Sequence, residues 1–124
     1  MPTQSLWING EPIVPRVKLL DGFFQRGFGL MGRALIPDGH AVALRRCRAL
    51  HTMGMRFALD VVFLDHEERI VRVVIGLRPW RVALGGPNAF TALEFPSDRI
   101  SPARWIRGAR VTWQDPVSIS ENRM

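Results

Sequence analysis

Short apolar runs, some alternating and some continuous, dominate the chain and predict β-strands rather than long helices. Leu6-Trp7-Ile8 is followed by Asn9-Gly10, a pair that supplies the positive φ angles of a tight hairpin turn. Asp60–Asp65 is β-branched and aromatic between two acids, so it predicts a strand buried on both faces at the centre of the core. His66-Glu67-Glu68 predicts a turn into a second hairpin, with residues 69–75 as the returning strand.

The rest of the chain predicts further strands and two helical segments. From Leu20 to Arg33 the apolar residues recur near helical spacing but are interrupted by glycines, which predicts a short helix running into a loop. Ser101-Pro102 is typical of a helix start, and we expect one or two turns that end before Gly108. The additional strands are predicted at Ala41–Leu44, Ala89–Phe95 and Ala109–Trp113.

These elements favour a mainly β member of the α+β class. The expected architecture is a small antiparallel-rich sheet that closes toward a barrel, with one or two short helices. Pro12 and Pro15 lack amide donors, so the second strand is expected at an edge. A length of 124 residues suits one hydrophobic core. We therefore predict a single domain over residues 1–114 and a polar C-terminal tail over 115–124.

Charge widens the range of possible partners. The net charge is +6, and Lys18 is the only residue among the 17 basic ones that is not arginine. The planar fork of arginine suits carboxylates and phosphates, which leaves open an anionic small molecule, a protein partner or nucleic acid. The arginines are scattered, with the densest group at Arg45–Arg48 and no long basic run, so nucleic acid is only weakly supported.

Other patterns exclude several classes of protein. No apolar run approaches the ~18 residues that cross a bilayer, and Met1–Ser5 lacks a signal-peptide layout, so we expect a cytoplasmic protein. Cys47 is the single cysteine, and the three histidines show no ligand spacing, which predicts no metal and no cofactor. Gly27–Gly32 matches G-x-G-x-x-G, but no predicted strand precedes it, so a loop is favoured over a nucleotide site.

The candidate site lies just before the central strand. There His51, Met55, Arg56 and Asp60 place polar and titratable groups in an otherwise apolar stretch. Such groups either form a buried structural network or line a ligand pocket, and both interpretations stay open. Glu94, between Leu93 and Phe95, is expected to face solvent or to pair with an arginine inside.

Several motifs in this order resemble a known bacterial and archaeal family, domain of unknown function 192. The resemblance implies a compact, mainly β domain with a short helix near Gly-Leu-Met, and it implies no assigned activity. The motif positions in this chain are Arg33, His51, Met55, Asp60 and Glu94. The motifs are the segments Gly29–Arg33, Cys47–Asp65, Leu93-Glu94 and Ile106–Val111.

The function that these observations favour is a non-enzymatic binding or accessory domain, with no catalytic residue assigned. An anionic or extended ligand would occupy a pocket lined or braced by Arg33, His51, Met55, Arg56, Asp60 and Glu94. One alternative is a nucleic-acid-associated regulatory protein attracted by the +6 charge. The other is a small enzyme with His51 as a base oriented by Asp60, which requires the two side chains within ~3 Å of each other.

Overall fold

A computed structural model describes residues 3–20, 40–53, 55, 57–96 and 103–116 of the chain. These residues form nine strands and contain no helix. In chain order the strands are β1 (Thr3–Ile8), β2 (Glu11–Leu20), β3 (His40–Arg45), β4 (Ala49–His51), β5 (Leu59–Leu64), β6 (Ile70–Leu77), β7 (Val82–Leu84), β8 (Thr91–Pro96) and β9 (Val111–Gln114).

Seven strands form one sheet in the order β6-β5-β8-β3-β2-β1-β9, while β4 and β7 form a second sheet of two strands. β2 and β3 run parallel, and the other pairs of described strands are antiparallel. The large sheet curls into a half-barrel. Its edge strands approach each other at a bridge between Arg69 and Arg110, and Ile70 N donates to Ala109 O at 2.9 Å. The predicted mainly β architecture with a curled sheet is therefore confirmed.

β5 lies between two cores, and all six of its side chains are buried. Val62 and Leu64 belong to a cluster that draws residues from all seven strands of the large sheet, which we call the inner core. Leu59, Val61 and Phe63 belong to a cluster with residues of β3, β8, β4 and β7, which we call the outer core. The small sheet therefore covers one face of the large sheet, and the prediction of a strand buried on both faces is confirmed.

Both predicted hairpins are present. Asn9 and Gly10 have φ angles of 53° and 77°. Two successive positive φ angles form a two-residue turn whose twist matches the twist of the flanking strands. In the second hairpin, Asp65 Oδ1 accepts hydrogen bonds from the backbone N–H groups of Glu67 and Arg69 at 2.8 and 2.9 Å. The Asp65 side chain therefore satisfies two backbone N–H groups of the turn.

β2 is an interior strand, so its predicted edge position is wrong. It pairs with β1 over most of its length, but with β3 only over Arg16–Leu20. Pro12 and Pro15 lie in the half that β3 does not reach, where a missing amide donor breaks no ladder bond on that side. The proline pattern therefore marked a local edge within a long strand.

The prediction of one or two short helices finds no support in the described residues. The first helix was expected over 20–33, of which only Leu20, the last residue of β2, is described. Residues 103–108 form turns and loop instead of the end of a helix. That segment buries Trp105 and exposes Ala103, Arg104 and Ile106, so it lacks an apolar face at helical spacing.

The predicted tail boundary lies where β9 ends. Asp115, just beyond β9, accepts a hydrogen bond from Ser5 Oγ at its backbone oxygen, at 2.7 Å. Residues 117–124 lie outside the described part, and the division at residue 114 stays a prediction. Within the described ranges, no helix is long and apolar enough to cross a membrane.

Candidate functional site

Asp60 stabilises an irregularity between β5 and β6. The pairing shifts register between Leu59 and Val61, because β6 has one extra residue opposite Asp60. Asp60 is fully buried, and its Oδ1 accepts a hydrogen bond from Gly76 N at 2.7 Å. Gly76 has a φ of +69°, a left-handed conformation that suits glycine at a bulge. The structure therefore gives Asp60 a defined role in holding this bulge.

Glu94 is a buried acid in the middle of β8. It is 4% exposed, and its Oε1 has no hydrogen-bond partner within the described part of the chain. Removal from water raises the pKa of the Glu94 carboxyl to about 8. The side chain is therefore mainly protonated at neutral pH, and it neither faces solvent nor pairs with a described arginine.

Asp60 and Glu94 lie on opposite faces of the large sheet. In the β5–β8 register Val61 is opposite Glu94, and Asp60 is opposite Phe95. Paired residues share a face and successive residues alternate, so Glu94 shares the outer-core face with Val61 while Asp60 shares the inner-core face with Phe95. The two acids that the sequence placed in one pocket are separated by the sheet.

His51 lies on the exposed side of the small sheet. Its Nδ1 accepts a hydrogen bond from Met53 N at 3.2 Å, and no described residue bonds to its Nε2. No hydrogen bond or ion pair joins it to Asp60 in the described residues, so the contact required for an oriented base is not made. Met55 is buried in the outer core. The candidate residues Arg33 and Arg56 lie outside the described residues.

Arg45 of β3 forms an ion pair with an acid, but that acid is Glu68 and not Glu94. Its Nη1 lies 3.3 Å from Glu68 Oε1 and donates to Thr91 Oγ1 at 2.8 Å. Its guanidinium carbon lies 5.2 Å from the ring centroid of Trp113. These contacts join β3 to the β5–β6 turn, to β8 and to β9, which is a structural role.

Thr52 organises a turn that sequence reasoning missed. Its hydroxyl donates to Arg78 O at 2.6 Å and accepts from Arg81 N at 2.9 Å, while its carbonyl accepts from Trp80 N at 2.9 Å. Thr52 is fully buried, whereas Trp80 is 62% exposed with a φ of +65°. A bulky residue in the left-handed region is a strained conformation that persists only when its surroundings impose it.

Trp80 adjoins an exposed apolar surface on the small sheet. Val82 and Leu84 are 55% and 59% exposed, whereas Leu50 and Ala83, which point the opposite way, are buried. Of the five large hydrophobic residues exposed in the described part, three lie within residues 80–84. We call this surface the β4–β7 face; it consists of Ala49, His51, Val82 and Leu84, and the exposed Trp80 lies two residues before β7.

The two chain segments that contain the small sheet carry charged side chains of one sign. Residues 39–59 and 69–93, which contain both strands of the small sheet, include eight arginines and no aspartate or glutamate. Arg48, Arg78 and Arg81 are exposed, and none pairs with a described carboxylate. An exposed apolar patch with a basic rim is typical of a binding surface.

The described residues supply no metal centre. They include no group of three or more histidine, cysteine, aspartate or glutamate side chains that could hold a metal ion. Cys47 is buried, and its Sγ donates to Ala49 O at 3.1 Å, whereas His51 is exposed. The chemistry available on the β4–β7 face is therefore apolar contact, arginine charge and one imidazole.

Solved structures share this fold. A protein of unknown function from Novosphingobium aromaticivorans matches with a TM-score of 0.75 at 18% identity, covering 90% of this chain and 84% of that one. A Sinorhizobium meliloti protein, whose description reads "putative transcription regulator", matches with a TM-score of 0.77 at 16% identity, covering 90% and 94%. At these identities the likeness concerns the fold alone.

Sequence comparison extends to archaeal relatives. A UPF0127 protein of Pyrococcus abyssi is 32% identical over 104 residues, which covers 79% of this chain and 86% of that protein. A UPF0127 protein of Pyrococcus furiosus is 29% identical over 112 residues, covering 85% and 92%. The family model for domain of unknown function 192, described as "Uncharacterized ACR", matches residues 5–113. The chain therefore belongs to the domain of unknown function 192 family, as its motifs indicated.

Proposed function

We propose that this protein is a non-enzymatic binding domain for an anionic or extended ligand, and that the ligand binds on the β4–β7 face. The observation that carries the proposal is the exposed apolar group Trp80, Val82 and Leu84, which lies in a stretch of sequence, residues 69–93, that has arginines but no acids. Apolar contact would supply affinity, and the arginines would select negative charge. His51 contributes an imidazole on the same face.

The other predicted site residues take two roles in this proposal. Met55, Asp60 and Glu94 support the scaffold, because they are buried in or beside the sheet instead of lining the exposed face. Arg33 and Arg56 stay proposed ligand contacts, as their charge suits an anionic ligand. A binding domain is favoured over an enzyme because the one candidate base, His51, lacks an oriented contact with Asp60.

A binding screen with matched variants tests this proposal. Purified protein is mixed with labelled anionic probes: a nucleotide, oligo-glutamate, an acidic peptide and a single-stranded oligonucleotide. Leu84→Ser removes an apolar side chain from the face, and Ile106→Ser is the control, because Ile106 is 60% exposed but lies outside the small sheet. Both variants lose a similar exposed side chain, so a general loss of fold would affect both.

We expect at least one probe to bind, with an affinity at least about tenfold weaker in Leu84→Ser, since burying a leucine contributes roughly 1.5–3 kcal/mol. Ile106→Ser should bind as the unmodified protein does. Binding that both variants retain would place the site elsewhere, and the absence of binding by every probe would contradict the proposed function.

Nucleic acid binding is the second candidate, because the exposed Trp80 lies beside the exposed Arg81. Aromatic and basic side chains together are the usual means of holding single strands. A salt titration separates this candidate from the first. Phosphate contacts make the affinity for an oligonucleotide fall steeply with salt, whereas apolar contact on the face makes peptide binding much less sensitive.

A further inference from the structure

We propose that the outer edge of β7 binds an extended acidic segment of a protein partner, which adds to the small sheet as a third strand. This inference rests on the proposed function, since it names the class of ligand and how the ligand is held on the β4–β7 face. Three features of the face support it: the backbone groups of β7, its side chains and its charge.

The hydrogen bonds of the small sheet determine which backbone groups of β7 point outward. Thr52 N donates to Arg81 O at 2.9 Å, and Gly85 N donates to Arg48 O at 2.7 Å. In an antiparallel pair the bonded positions alternate, so Ala83 is the β7 residue that bonds to β4. The N–H and C=O groups of Val82 and Leu84 therefore point away from β4, and no described residue bonds to them.

The side chains of the same two residues make this edge suitable for a strand. Val82 and Leu84 both project onto the exposed face, where an added strand would place alternate side chains beside them. Strand addition generally combines backbone hydrogen bonds with side-chain contacts of this kind. β7 therefore offers four backbone groups that have no partner among the described residues, together with two apolar contacts.

Charge identifies the occupant as an acidic segment. The chain around the small sheet carries arginines and no acids, so a segment with alternating acidic residues would meet complementary charge. A second copy of this chain would instead bring two basic rims together. Like charges placed opposite each other oppose that association, and a different, acidic protein is favoured.

The turn that contains Trp80, residues 78–81, lies at one end of the proposed binding edge. Thr52 holds the turn through bonds to Arg78, Trp80 and Arg81, and this keeps Trp80 exposed in a left-handed conformation two residues before β7. Strain of this kind occurs more often at binding sites than elsewhere. Trp80 would cover the end of the added strand without first having to rearrange.

Fluorescence anisotropy with designed peptides tests the proposal. The probe is a labelled eight-residue peptide of alternating glutamate and valine. Three comparison probes are the same peptide with every backbone nitrogen methylated, the corresponding lysine–valine peptide, and a twelve-nucleotide single-stranded DNA. Methylation removes the donors of the added strand but keeps its charge and side chains.

We expect the glutamate–valine peptide to bind, the methylated peptide to bind at least about tenfold more weakly, and the lysine peptide not to bind. The variant Val82→Pro removes one outward N–H and should weaken binding of the unmethylated peptide more than Val82→Thr does, since Val82→Thr keeps that donor. Melting curves establish that each variant is folded.

Each contrary result has a distinct meaning. Equal binding of the methylated and unmethylated peptides would overturn strand addition and leave the proposed binding of anionic, extended ligands intact. Tighter binding of the DNA than of the peptide would overturn the proposal that the partner is a protein. If none of these probes and no anion of the binding screen is bound, the proposed function itself fails.

Discussion

Replacing Glu94 with glutamine tests the burial of a neutral carboxyl in the large sheet. Burial raises the pKa of Glu94 from 4.5 to about 8. Between these values the folded protein holds a proton on Glu94 that the unfolded chain releases. The contribution of Glu94 to the stability of the wild-type protein is therefore fully present below about pH 4.5 and is lost as the pH rises through the folded pKa of about 8.

The size of this effect follows from the two pKa values. Each pH unit within the window costs about 1.4 kcal/mol, so stability should fall by about 2 kcal/mol between roughly pH 5.5 and 7, and by about 4 to 5 kcal/mol over the whole window. Glutamine has nearly the same shape and no titration. The Glu94→Gln variant should therefore lose this slope and exceed the wild type in stability at high pH.

Urea unfolding at a series of pH values measures the effect, taken as the difference in unfolding free energy between variant and wild type. Glu67→Gln is the control, because Glu67 is exposed, and this substitution should leave the wild-type slope unchanged. A difference between Glu94→Gln and wild type that stays constant from about pH 5 to 8 would refute the assignment of Glu94 as a buried neutral acid.

Substitutions at three further positions are checked by the same unfolding measurement, with peptide anisotropy added for Thr52. Asp60→Ala should cost about 1–3 kcal/mol by leaving the bulged amide of β6 without its acceptor, and Asp60→Asn should cost less; equal costs would argue against that hydrogen bond. Gly85→Ala should lower the unfolding free energy by about 3 kcal/mol, because a Cβ there would lie 2.5 Å from a ring atom of the fully buried Phe63. An unchanged unfolding free energy would show that the outer core rearranges to accept the methyl group. Thr52→Val should lower the unfolding free energy by about 1–3 kcal/mol and also weaken peptide binding. If it lowers the unfolding free energy and leaves binding unchanged, the Trp80 turn has no role in binding.

Sequence patterns predicted the elements whose signals are local. Asn9-Gly10 determines its hairpin because few residues other than asparagine and glycine accept two successive left-handed conformations. The run Val61–Leu64 has no polar residue and is rich in β-branched and aromatic side chains, which favoured a strand with both faces covered. The family motifs were also sufficient to identify the family.

Features that depend on pairing between distant segments could not be predicted. Whether Asp60 and Glu94 share a face depends on the β5–β8 register, and a slip of one residue would reverse the answer. β4 and β7 have three residues each, too few for a periodic signal. The β4–β7 face therefore appeared only when the two strands were seen side by side.

The most direct test of the account is amide hydrogen exchange at Val82 and Leu84, measured by NMR with and without the glutamate–valine peptide. Both amides point outward from β7, so they should exchange rapidly in the free protein. Strand addition predicts that the peptide slows exchange at these two amides while the amide of Ala83, already bonded to β4, changes little. Unchanged exchange at Val82 and Leu84 in the presence of bound peptide would contradict the assignment of this edge as the binding site.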